Sequence, residues 1–327
     1  MLSDLGVEAD ASRDLALPDR VSPSEYQSTI GRAAMRIQGL PVFALLAVAG
    51  CATAPGGAAN AQQGGPQRPS YPVEAADTTC PRAELTALVD AYSAAMTAHD
   101  PSLVVLADDI RFTENAAVLA PGESALWRGA GAWSLRNDLI DTELCGTVSW
   151  GVIEEDGRPI HAAVRLQTND AGAIIEAEHI TAKEEDFFYG PDAILATSYL
   201  DWETILPPGE RASREAMTAA ANDYFAEFDE THYVSVPYAD RCDRWENGIR
   251  TTRTHDCNPP ARSENSHPPR RIPLVDLEAG TVAAFVHFRR NVVDVHVFKM
   301  QRGQVAYIMA VVGPSAESDG WLEPDGM

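Results

Sequence analysis

A chain of 327 residues has room for about two domains of ~100–150 residues, each with its own core. Its formal net charge of −23 excludes a nucleic-acid surface, which needs a basic face, and suits a self-repelling, soluble exterior. A hydrophobic fraction of 45% is enough for packed cores and excludes a disordered chain.

Residues 1–34 carry no hydrophobic period and precede a start-like Met35, so they read as an extension upstream of the functional start. After Met35-Arg36 comes an apolar run, Leu40–Ala49. It is too short for the ~20 residues that cross a bilayer but fits the core of a signal peptide over 35–61. Val48-Ala49-Gly50-Cys51 has the form of a bacterial lipobox, with Cys51 lipidated, while Ala59-Asn60-Ala61 offers a competing cut for ordinary signal peptidase. Either cut gives an exported product: a periplasmic or outer-membrane lipoprotein, or a secreted protein. Residues 62–78, rich in Ala, Gly, Gln and Pro, read as a tether.

The first domain is expected over 79–200. Leu85, Leu88, Val89, Tyr92 and Met96 recur at helical spacing after Pro81, which suits a first helical turn. The helix should stop near His99-Asp100-Pro101. Ile110 to Asn115 alternates like a strand, and Gly122–Arg136 reads as a short connecting helix. Three strands follow, Leu144–Glu154, Pro159–Gln167 and Ala173–Lys183, with turns at Asp156-Gly157 and Asn169–Gly172.

The second domain is expected over 210–315, before a tail at 316–327. Ser213 is placed to cap a helix from Arg214 whose stripe is Met217, Ala220, Ala221, Tyr224, Phe225 and Phe228. Thr251–Arg271, with four prolines, reads as a long functional loop. Thr281–Phe288, Val292–Met300 and Gln304–Val312 read as strands.

These domains are copies. Arg82–Tyr92 lies over Arg214–Tyr224, and Phe112-Thr113-Glu114-Asn115 over Arg244-Trp245-Glu246-Asn247, both at an offset of 132. Cys80, Cys145, Cys242 and Cys257 allow three disulfide connectivities, and the repeat favours Cys80–Cys145 with Cys242–Cys257.

The helix-then-strand order and the paired Thr-Glu-Asn and Arg-Trp-Glu-Asn-Gly segments resemble the NTF2-like (SnoaL-like) superfamily. Within it they resemble a tandem secreted family common in fungi. The resemblance covers roughly residues 80–313. It implies an α+β fold of two tandem cone domains, each a long helix on a curved antiparallel sheet, associated as a pseudo-dimer. It also implies a pocket between helix and sheet in each copy, lined by inward strand residues. In the first, Glu114, Asn115, Arg165, Glu178 or His179 qualify; in the second, Arg244, Trp245, Glu246, Asn247, Asp294, His296 and Tyr307 do. Matching through the turn glycines Gly172 and Gly303 sets Arg165 opposite His296.

Glu246 or His296 is the expected base, with Asp294 orienting the imidazole, and the other residues contact substrate. Glu114-Asn115 and Glu246-Asn247 also fit a purely architectural role at the strand ends. His287, Asp294 and His296 have the composition of a two-His-one-carboxylate metal set, but no spacing fixes their geometry, and no metal or other cofactor is expected. No GxSxG, P-loop, GxGxxG or HExxH sequence occurs. The expected activity is therefore cofactor-free lyase or isomerase chemistry on a small, oxygenated, partly apolar molecule. A non-catalytic binder of a small molecule or partner is the alternative.

Overall fold

Each half opens with a helix whose apolar residues recur at helical spacing. The computed structural model describes residues 80–198, 200–229, 234–259, 268–288 and 291–316. The leader, Cys51, the tether, His267 and the tail beyond 316 lie outside these residues. Helix α1 (Arg82–Thr97) buries Leu85, Val89, Tyr92, Ala95 and Met96. Its counterpart α4 (Arg214–Ala226) buries Met217, Ala220, Ala221, Tyr224 and Phe225. Ser213 caps α4 by accepting a hydrogen bond from Ala216 N, as the sequence predicts. Among the described residues no helix is long and apolar enough to cross a membrane.

Six strands follow α1: β1 (Leu106–Glu114), β2 (Ala117–Val118), β3 (Ala130–Asp141), β4 (Gly146–Glu155), β5 (Arg158–Thr168) and β6 (Ile174–Ala182). Six also belong to the second half: β7 (Tyr238–Glu246), β8 (Ile249–Arg250), β9 (Arg270–Asp276), β10 (Thr281–Phe288), β11 (Val292–Gln301) and β12 (Gln304–Ser315). The two sheets have the same order, β2-β1-β6-β5-β4-β3 and β8-β7-β12-β11-β10-β9. β1 pairs with β6, and β7 with β12, in parallel, so each sheet is mixed rather than wholly antiparallel. Short helices α2 (Ala125–Gly129) and α3 (Pro191–Leu195) and two 3-10 turns, Pro101–Leu103 and Pro208–Glu210, complete the described elements.

Two strands depart from the sequence reading, and both are sheet edges. The stretch 122–136 reads as a helix, yet only Ala125–Gly129 is helical and β3 runs on for 12 residues. Its half-exposed burial pattern explains why no clean alternation appears. β9 begins in the last two residues of the expected long loop and runs on through residues assigned to no strand, with Pro273 lying where its register against β10 shifts. Proline cannot donate to a ladder and is tolerated at an edge or a bulge, so the residue that argues against a strand is accommodated here by both.

The face of each sheet toward its helix carries an apolar core. Tyr92, Met96, Phe112, Trp127, Ala162, Val164 and Leu166 share one; Tyr224, Phe225, Val282, Ala284, Phe298 and Ile308 share the other. The opposite faces meet in a single cluster that includes Leu139, Trp150, Val152, Ala163 and Ile180 with Trp245, Leu274, Phe285, Val295, Val297 and Met309. Both faces of the central strands are thus covered, which is why β4 and β11 are buried almost end to end.

Ion pairs cross between the halves in a reciprocal way. Arg82, the first residue of α1, binds Asp276 and Glu278. Arg214, the first residue of α4, binds Asp141 at 2.7 Å and Glu143 at 2.6 Å. The buried carboxylates also accept backbone donors across the junction, Asp276 from Ile140 N at 3.1 Å and Asp141 from Val275 N at 2.8 Å. Corresponding residues of each half are thus used against the other. The disulfides are Cys80–Cys145 and Cys242–Cys257.

Candidate active site in the second half

Strand pairing sets which residues share a face. On β7, Arg244 and Glu246 point toward α4, and on β11 Asp294 and His296 do the same. Arg244 is almost wholly buried, with Nε 3.0 Å from Glu246 Oε1. Its Nη1 donates to the Tyr224 hydroxyl at 3.0 Å. His296 Nδ1 is 2.8 Å from Asp294 Oδ1, and both side chains are buried. Pairing with Asp294 commits Nδ1 and leaves Nε2 as the nitrogen that can exchange a proton with a ligand. The imidazole is enclosed by the rings of Tyr224, Phe225, Phe288 and Phe298 at 5.2–6.1 Å.

Glu246 is the member of this cluster that reaches solvent, with 16% of its side chain exposed. Burial raises its pKa above the ordinary carboxylate value, opposed by Arg244 and His296 and assisted by the nearby Asp294 charge. Burial also pushes the Tyr224 hydroxyl well up, so it stays protonated. A carboxylate of raised pKa beside an oriented imidazole can divide base and acid roles.

The first half is built otherwise. Glu114 Oε1 and Oε2 accept hydrogen bonds from Ala125 N at 2.9 Å and Leu126 N at 3.0 Å, so this carboxylate caps α2. His179 Nε2 pairs with the Tyr92 hydroxyl at 2.9 Å, and its Nδ1 lies 3.9 Å from Glu114 Oε2. Trp127 stacks on the imidazole and Phe112 meets it edge-on. Burial works to raise the Glu114 pKa, but His179, Ser124 and the Leu126 N–H hold it below the usual value.

Several predicted contact residues face elsewhere. Trp245 lies between Arg244 and Glu246, so alternation turns it into the core between the sheets, not into the site. Tyr307 faces the same way and packs on Trp202 at 5.8 Å. Arg165 and Glu178 also point between the sheets, where Glu178 binds both Arg165 and Arg271, and both guanidinium groups lie over Phe285. Asn247 is committed to backbone: its Oδ1 accepts from Val312 N at 2.8 Å and its Nδ2 donates to Val312 O and to the carbonyls of Phe187 and Phe188. Asn115 does the same work against Thr181.

The glycine-based match of Arg165 with His296 is off by one. Glu114 pairs with His179, which pairs with Val164; Glu246 pairs with Ala310, which pairs with His296. His296 therefore occupies the position of Val164, because the one-residue difference lies in the turn itself and the offset of 132 persists through β5. A slip of one residue reverses every face. Tyr224 and Thr251, both on Arg244, escaped the sequence reading as site residues. The alignment of Tyr92 with Tyr224 was the available signal for the first, and the expected functional loop beginning at Thr251 was the signal for the second. His255, in the expected long loop, pairs with Asp243 at 2.8 Å. Among the described residues no group of three or more His, Cys, Asp or Glu side chains converges as a metal site.

Residues 210–312 match the family model described as Domain of unknown function (DUF8021). That match spans the second half alone. Among solved structures, a steroid delta-isomerase from Pseudomonas aeruginosa is 14% identical, with 31% of this chain and 82% of that one covered and a TM-score of 0.26. An NTF-2 like protein of unknown function from Burkholderia xenovorans LB400 is also 14% identical, covering 34% and 89%, with a TM-score of 0.26. No curated protein matches the chain.

Proposed function

We propose that this is an exported protein of two tandem NTF2-like domains, associated as an internal pseudo-dimer, whose second domain performs cofactor-free acid–base chemistry on a small, oxygenated, partly apolar molecule. The observation that carries this reading is the convergence of Glu246, Arg244, Asp294, His296 and Tyr224 on one sheet face, against a first half without that set. Glu246 takes a proton from carbon next to a carbonyl or leaving group. His296, oriented by Asp294, gives a proton from Nε2 to the oxygen where charge develops. Return of that proton from Glu246 to another carbon, while His296 Nε2 takes back the proton it lent to the oxygen, completes an isomerisation, whereas departure of the protonated oxygen as leaving group completes a lyase reaction. The reciprocal Arg82 and Arg214 pairs support the pseudo-dimer, and two disulfides support export.

The test is to identify by mass spectrometry a small molecule that co-purifies with the protein, then measure its turnover and binding. Glu246→Gln and His296→Ala should abolish turnover with the fold retained, and Glu114→Gln should not. Because Glu246 acts as the base, activity should rise with pH through a midpoint above the ordinary glutamate value. The near-complete burial of Arg244, Asp294 and His296 favours a second reading, a non-catalytic binder. Tight binding without conversion of the co-purified molecule would select it.

A further inference from the structure

Four groups hold the guanidinium of Arg244, and two of them come from Thr251–Cys257, which starts like the first half, where Leu119 N donates to Phe112 O, but then takes a different path from the one that leads there into α2. Nε faces Glu246 Oε1 at 3.0 Å and donates to Thr251 Oγ1 at 3.0 Å. Nη1 donates to the Tyr224 hydroxyl at 3.0 Å and to the carbonyl of Cys257 at 3.1 Å. The segment from Thr251 to Cys257 folds back along β7. Thr251 N donates to Arg244 O, and Cys242 N donates to His255 O. The Cys242–Cys257 bridge closes this segment, and both cysteines are buried.

The first half has Phe112 where the second has Arg244. Its own disulfide, Cys80–Cys145, ties the start of α1 to the β3–β4 turn, where Cys80 N donates to Thr142 O. One bridge therefore fastens a helix, and the other delivers acceptors to a buried cation. Acceptors matter here because a buried guanidinium N–H that loses its acceptor is left unsatisfied, so the group must move or draw in water. Any movement of Arg244 reaches Glu246, since Glu246 and Thr251 meet the same Nε.

We infer that the loop stapled by Cys242–Cys257 is the positioning element of the Arg244–Glu246 pair, with Thr251 and Cys257 as its positioning residues. Thr251 acts through its hydroxyl and Cys257 through its backbone carbonyl, which the disulfide keeps in place. The consequence for catalysis rests on the acid–base reading above, but the placement of Arg244 can be tested without any ligand.

The experiment follows the Arg244 Nε–H by NMR in the 15N-labelled full chain, with its signal assigned by its loss in Arg244→Lys. In the intact protein this hydrogen should be protected from exchange with solvent. Replacing the bridge by Cys242→Ser/Cys257→Ser should remove the protection, while the amides of the first half keep theirs. Cys80→Ser/Cys145→Ser should leave Arg244 protected. If the Cys242→Ser/Cys257→Ser chain fails to fold, Thr251 decides with the bridge intact. Thr251→Val should expose the Nε–H, and Thr251→Ser, which keeps the hydroxyl, should restore it. An Arg244 signal that stays protected in Thr251→Val would overturn the inference, as would protection retained after loss of the Cys242–Cys257 bridge. Failure of the acid–base reading would look different: Arg244 would respond as described, yet Glu246→Gln would leave turnover and binding of the co-purified molecule unchanged.

Discussion

At three register-matched positions facing the helix, the first half carries Phe112, Ala162 and Val164, and the second carries Arg244, Asp294 and His296. A fourth position reverses the pattern, with His179 in the first half and Ala310 in the second. The backbone is shared, and so is the strand-end asparagine that fixes it. What differs is the filling. In the first half aromatic rings close around one imidazole, and its glutamate is absorbed as a helix cap. In the second, a buried cation and a carboxylate–imidazole pair leave Glu246 only partly committed. The comparison teaches that the asparagine is architectural in both halves, whereas the shared glutamate is committed to backbone donors only in the first, because its neighbours there differ.

The largest expected effect tests whether the halves hold each other reciprocally. Asp141→Ala and Asp276→Ala each leave an arginine and backbone donors without their buried acceptor, so each should cost about 3–5 kcal/mol in chemical denaturation. A large loss from one and none from the other would break the symmetry.

The next effect separates the halves by pH. His161 in β5 is fully buried, neither ring nitrogen has a hydrogen-bond partner among the described residues, and burial lowers its pKa to about 4 from 6.5. The unfolded chain therefore takes up this proton first. Stability is at its full value above the unfolded pKa and falls as pH drops through the interval down to about 4. The loss should reach about 3 kcal/mol in order of magnitude. Denaturation at a series of pH values should show this slope in the native chain and lose it in His161→Leu.

A smaller effect distinguishes the two glutamates. Glu114→Gln cannot accept equally from Ala125 N and Leu126 N, and should cost about 1 kcal/mol. Glu246→Gln leaves those donors untouched but removes the charge facing the buried Arg244, so its stability loss should be of the same order or larger. Turnover or binding tells the two glutamates apart, since only Glu246→Gln should lower it.

The smallest effect on stability is the sharpest test of the comparison. Asp294→Ala/His296→Val copies the first half into the second. Removing a buried pair together, rather than one partner, should leave stability within about 1 kcal/mol of the native chain. Turnover or binding of the co-purified molecule should nevertheless disappear.

Much of this was legible in the sequence because its causes are local. The helical stripes of Leu85–Met96 and Met217–Phe225, the Ser213 cap and the turns at Asp156-Gly157 and Gly303 depend on neighbours a few residues apart. The 132-residue offset extended that reach to the disulfides and to the Glu114/Glu246 match. Facing was another matter. Alternation can be read only when one side of a strand is wet, and here the packing of sheet on sheet buries both sides of β4, β5 and β11. Trp245 beside Glu246, and Arg165 beside Val164, thus gave no local sign of which way they point. Tertiary structure decided that, through pairing registers fixed in turns and a core shared between the halves. It also decided which carboxylate remained available, because Glu114 meets α2 and Glu246 meets Arg244.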